Sequence, residues 1–205
     1  MEKQMTLGAK IKNIWDYDKW YILGGLLIVV LLVWFVKDTM FKKEPDVTIL
    51  YASRGYLGDM YFNNMEGYFK ELIADRDGDG EKTVTVLNFE FAPDPDAETV
   101  NKNLEKEINT KLVMETSMQE NCLLVMKREF ADSVFAGKGA MLTDFSEIID
   151  GIEETYYLPI QKTVLKERFP HIPDDAVVVL KMPYKSGFER YYETAKELLK
   201  SIIIK

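Results

Sequence analysis

The sequence predicts an α/β domain, a mostly parallel sheet sandwiched between helices, with one transmembrane helix in front of it. Three observations predict this. Ile22 to Val36 reads ILGGLLIVVLLVWFV and carries no charge. From residue 46 onward, short apolar or β-branched runs alternate with amphipathic stretches in the order β-α-β-α-β-α, the pattern of a parallel sheet covered on both faces. The charge divides at the same boundary. Residues 1–43 hold seven Lys against four Asp and Glu, so of the net charge of −8 they contribute +3 and residues 44–205 carry −11.

Trp20 to Val36 is 17 apolar or glycine residues long. At about 1.5 Å per residue this run covers most of a hydrocarbon core about 30 Å thick. Trp15, Trp20 and Tyr21 lie at one end of it and Trp34, Phe35 and Phe41 at the other, the placing of interfacial aromatic belts. VKDTMFKK follows without a small-residue cleavage site, and the single cysteine, Cys122, is too distant to carry a lipid anchor. An uncleaved span fits these flanks better than a signal peptide. The chain is therefore read as a tail (1–20), a transmembrane helix (21–37), a linker (38–45) and a domain (46–205). Lys3, Lys10, Lys12 and Lys19 before the span balance Lys37, Lys42, Lys43 and Arg54 after it, so the positive-inside bias does not choose an orientation. The short tail favours a cytoplasmic N-terminus. The expectation is a single-pass protein of the cell membrane with its C-terminal domain outside the cytoplasm.

DVTILYAS (46–53) alternates and is β-branched, a strand. Tyr61, Met65, Tyr68, Phe69 and Leu72 then fall at helical spacing. After the turn DRDGDG, KTVTVLNFEF (82–91) reads as the second strand. The breakers of APDPDAE lead to a helix expected to start at Asp96, with Val100, Leu104, Ile108 and Leu112 in one stripe. NCLLVM (121–126) is a continuous apolar run, as in a strand buried on both faces. A helix from Arg128 to about Phe135 ends at Gly137. The next stretch is an extended piece, a capped helical turn and a loop. DDAVVVLKMP (174–183) is a fourth strand, and FERYYETAKELLKSIII closes the chain as a helix. The first strand is expected in the centre of the parallel set, because right-handed crossovers leave few other arrangements.

The stretch NCLLVMKREFADSVFAGKGAMLTDFSEII resembles the third strand, helix and leucine-then-aspartate turn of type II extracellular solute-binding proteins of ABC transporters. YYLPI resembles the crossing point between the two lobes of that family, and FERYYETAKELLKSII its late helix packing on the first lobe. The resemblance implies that strand 176–182 inserts antiparallel beside the third. The fold class is then a three-layer sandwich with a mostly parallel sheet and one antiparallel strand. Residues 160–174 are too few for a second lobe. What the resemblance implies is one lobe alone on a membrane stalk, with a permease or another membrane protein as partner.

DRDGDG places Asp75, Asp77, Asp79 and Gly80 at positions 1, 3, 5 and 6 of a calcium loop. Position 12, which needs a bidentate Glu, is Val86, and position 8 is Lys82. Two readings stand: a Gly-Asp turn between helix and strand, or a structural Ca²⁺ site. Either would lie at the amino ends of the parallel strands, away from the edge where such sheets bind ligands. No other cofactor is indicated.

The carboxyl ends carry ASRGY, FAPDPD and MKREF. Ser53, Arg54, Tyr56, Lys127 and Arg128 form a candidate polar, cationic-aromatic rim suited to an anionic or sugar ligand. In the resembled family these loops are where the first lobe touches its ligand. The single histidine, His171, lies in FPHIPDD with no nucleophile or metal cluster spaced to use it, and AGKGA lacks the phosphate-loop spacing, so no enzyme is expected. The acidic domain repels nucleic acid. Two functions remain: a membrane-tethered binding module for a small ligand or a transporter partner, and a structural or assembly factor of a membrane complex.

Overall fold

The computed structural model describes residues 7–40, 44–76, 78–137 and 139–204. The chain divides into two compact units, residues 1–44 and 45–205.

Among its described residues the first unit holds one helix, α1 (Leu7–Met40). It outruns the expected 21–37 at both ends because no proline interrupts it before Pro45. Its side chains are described at Trp15 and from Lys19 to Phe35. Among the described residues, no helix is long and apolar enough to cross a membrane. The expected transmembrane helix is thus not supported as a crossing. The described apolar stretch stops short of the about 20 residues a full span takes. Residues 1–6 of the expected tail and 41–43 of the expected linker lie outside the described residues.

In the second unit the helices are α2 (Asp59–Leu72), α3 (Lys102–Ser117), α4 (Arg128–Phe135), α5 (Phe145–Ile148), α6 (Val164–Arg168) and α7 (Glu189–Ile202). The strands are β1 (Val47–Arg54), β2 (Val84–Phe91), β3 (Leu123–Lys127), β4 (Leu158–Pro159) and β5 (Ala176–Leu180). They form a five-stranded sheet in the order β2-β1-β3-β5-β4. β1 pairs parallel with both β2 and β3, while β5 runs antiparallel between β3 and β4. β1 is central to the parallel set, and it is buried from Val47 to Ser53, so its sequence reads as a nearly unbroken apolar run.

Alternation along β1 divides the core. Ile49 and Tyr51 pack in one cluster with Phe62, Met65 and Phe69 of α2 and Ala195, Leu198 and Leu199 of α7. Leu50 and Ala52 pack in a second with Leu112 of α3 and Phe130, Ala131 and Val134 of α4. Helices therefore cover both faces.

Two local expectations need correction. The helix expected from Asp96 begins at Lys102, because Asn101 accepts from the Asn103 and Leu104 amides and caps it there. Val100 consequently sits in the preceding loop. β4 was not anticipated either: its two residues carry too little pattern to read, and only the pairing of Leu158 with Val178 and of Pro159 with Val177 makes them a strand.

Candidate functional site

Because β1, β2 and β3 run in one direction, their carboxyl ends gather at one edge, where ligands of open α/β sheets bind. Residues 55–58 follow β1 there. Gly55 and Gly58 have φ of 104° and 77°, values that strain any side-chain-bearing residue, and the Leu57 amide between them donates to Glu90 Oε1 at 2.5 Å. Residues 92–101 follow β2. Between this segment and the first turn of α3 lies a cleft of about 450 Å³, a volume suited to a small ligand. Ala92, Pro93, Val100 and Leu104 form its apolar wall, Tyr56 closes one side and Glu105 another. Tyr56 is 69% exposed and Leu104 50%, so both present surface to an occupant.

Arg54 ends β1 beside this cleft. Its Nε donates to Glu129 Oε1 at 2.7 Å, its Nη1 donates to the Ala92 carbonyl at 3.1 Å, and Nη1 lies 3.5 Å from Glu105 Oε2. The guanidinium also lies over the stacked rings of Phe91 and Phe130, 5.4 Å from the Phe130 centroid. Glu105 Oε1 accepts from the Ala92 amide at 2.7 Å. Arg54 and Glu105 together pin the start of the 92–101 segment to α3.

Comparison with protein-family models, with curated proteins and with solved structures yields no match.

The structure sorts the five rim residues. Arg54 and Lys127 share a carboxylate: Lys127 Nζ is 3.7 Å from Glu129 Oε1 and 3.4 Å from Asp175 Oδ2. Arg128 turns away toward α4, where its Nε lies 3.0 Å from each Asp132 oxygen and its guanidinium covers the Tyr157 ring. Tyr56 lines the cleft. Ser53 is buried and points to the opposite face, opposite Glu90 in the register and beside the Tyr51 phenol. Burial pushes that phenol up; Ser53 offsets part of this and the Glu90 carboxylate adds to it. The rim expected to be cationic is electrically balanced, since Arg54, Lys127 and Arg128 each face at least one carboxylate. An isolated cation at a half-buried edge would pay a desolvation penalty, and these acids remove it.

The opposite edge holds the DRDGDG turn. Asp75 accepts from the Gly78 amide at 2.7 Å and the Gly80 amide at 2.8 Å, and Asp79 accepts from the Glu81 amide at 2.8 Å. Asp77 lies outside the described residues. Among the described residues, no group of three His, Cys, Asp or Glu is set to hold a metal ion. Asp46, buried just before β1, accepts from the Arg76 and Thr83 amides at 2.7 Å each and ties both ends of the turn to the strand.

Sequence reasoning missed Glu105, Lys181 and Asp46. Glu105 was hidden by the helix start at Asp96, which placed it mid-helix instead of in the first turn. Lys181 had a signal, a lone charge inside VVVLKMP. It is fully buried, donates to the Thr116 carbonyl at 2.9 Å and to the Met118 carbonyl, and so caps the end of α3. Burial pulls its ammonium down, against the opposing influence of Cys122 and Glu120. The buried Cys122 thiol is pushed up to about 11 by the same burial, which leaves it unreactive at neutral pH.

Proposed function

We propose that this chain is a membrane-anchored binding module that resembles one lobe of a solute-binding protein. Its α/β domain stands outside the cytoplasm and docks a small ligand or a transporter partner at the carboxyl edge of the sheet. The observation that carries the reading is the cleft of about 450 Å³ between residues 92–101 and α3, at the sheet edge where such folds bind. The anchor rests on the apolar run from Trp20 to Val36. Its described apolar side chains from Trp20 to Phe35 are all exposed, and a helix apolar all round is at home in lipid.

Thermal unfolding of the full chain in detergent against a panel of small molecules tests this. Stabilising compounds should act on the natural chain and lose their effect in Ala97→Trp, which fills the cleft. Compounds that stabilise both equally would count against the cleft.

One observation favours the alternative, an assembly factor that needs no ligand. α3 buries only Leu112 and Thr116 along its length and leaves Leu104, Val113 and Met114 exposed. A membrane protein that co-purifies equally with the natural chain and with Ala97→Trp, but not with Met114→Glu, would favour that reading.

A further inference from the structure

We infer that the cleft selects ligands with an apolar body and a protonated amine, and rejects carboxylates. This rests on the proposed binding module and names the chemistry its site would take. The argument starts from the charges around the opening. Segment 92–101 carries Asp94, Asp96 and Glu98 and no cation. Asp94 lines the cleft, and one of its oxygens accepts from the Asp96 amide at 3.0 Å, which holds the carboxylate in place. Arg54 is engaged by Glu105 and Glu129 and by the Ala92 carbonyl, and Lys102 donates to the Pro95 carbonyl. Asp94 and Glu105 are the two charged residues that line the cleft, and Glu105 is already paired with Arg54, which leaves the Asp94 carboxylate to face an occupant.

The walls complete the match. Ala92, Pro93, Val100 and Leu104 accept a hydrocarbon or aromatic body, and the exposed Tyr56 ring offers a face that attracts a cation. An ammonium seated between that ring and Asp94 gains from both. A carboxylate in the same place meets the negative charges of Asp94 and Glu105, and the Arg54 guanidinium beside the cleft is already held by Glu105 and Glu129. The charge of −11 carried by residues 44–205 acts in the same sense, raising the local concentration of cations at the opening.

Benzylammonium, benzyl alcohol and benzoate share a shape and differ in charge, so they separate charge selection from cleft binding. Their affinities for the full chain in neutral detergent are measured by titration, with Ala97→Trp in the same detergent as the background. Benzylammonium should bind about tenfold tighter than benzoate, the scale of one partly screened charge contact, with benzyl alcohol between them. Asp94→Asn keeps the bond to the Asp96 amide and removes the charge. It should weaken benzylammonium severalfold and leave benzyl alcohol unchanged, and added salt should shrink the difference. If all three bind alike above background, or benzoate binds best, charge selection is overturned while the cleft stands. If none exceeds the Ala97→Trp background, the cleft reading falls and the inference with it.

Discussion

The Lys181 ammonium donates to two main-chain carbonyls at the end of α3 from a position with no exposure. Lys181→Met keeps most of the stem's volume but strands both carbonyls, and is expected to lower stability by about 2–3 kcal/mol. The pH dependence has a definite sign. Burial holds the folded pKa below the ordinary 10.5. Below that folded value both states carry the proton and the burial penalty is fully present. Between the folded and unfolded values the unfolded chain binds more protons, so stability rises with pH, and above the unfolded value the gain is complete. Denaturant unfolding at increasing alkaline pH should show the natural chain drawing further ahead of Lys181→Met; a constant gap would refute the account. At the other edge, Arg54 holds two carboxylates while 18% exposed. Arg54→Met should cost about 1–2 kcal/mol, discounted for solvent screening, and should loosen residues 92–101. Arg54→Glu adds a third carboxylate to the group. It therefore reports on folding as much as on binding, because the cation read from the sequence as a ligand contact is spent on holding the loop.

At the scale of elements, the helix-to-strand turn of residues 75–83 is fastened by Asp46, whose carboxylate accepts two amides and the Thr83 hydroxyl. Asp46→Ala should destabilise the domain by about 3 kcal/mol, since bonds to a charged acceptor are among the stronger ones. Amide exchange should quicken first at Arg76 and Thr83. Because Asp75 already spends both oxygens on the amides of Gly78 and Gly80, Ca²⁺ has little to add. The melting temperature should be nearly the same in millimolar Ca²⁺ and in chelator; a rise of about ten degrees with Ca²⁺ would mean the ion binds the native turn tightly. The same scale explains where element reading failed. APDPDAETVN carries acids and breakers that suit a helix start at several places, and the choice fell to Asn101 only because its side chain reaches the Asn103 and Leu104 amides. A two-residue strand such as β4 has no periodicity to read at all.

For the whole molecule, the anchored reading makes a direct topological claim. Protease added to spheroplasts expressing the full chain should remove the domain of residues 45–205 and leave the N-terminal tail. A domain that stays intact until the membrane is broken open would place it in the cytoplasm and end the extracytoplasmic reading.

The strand pattern and its order were legible because burial writes itself into sequence. β1, β3 and β5 are buried throughout or nearly so, and each appears as a short apolar run. The amphipathic α2 and α7 show their buried faces as helical spacing. With crossovers right-handed, the parallel set β2-β1-β3 follows from these runs, while the antiparallel place of β5 came from the family resemblance. The sequence also determined the charge of the domain. It did not determine the character of the candidate site. Ser53, Arg54, Tyr56, Lys127 and Arg128 are near one another in the fold, yet which are free to meet a ligand depends on Glu105, Glu129, Asp132 and Asp175. Of these acids only Glu129 and Asp132 lie close in sequence to a cation they serve, and Glu105 comes from α3. Charge pairing acts through space between elements far apart along the chain, so only the tertiary structure decided that the rim is balanced and the cleft beside it acidic.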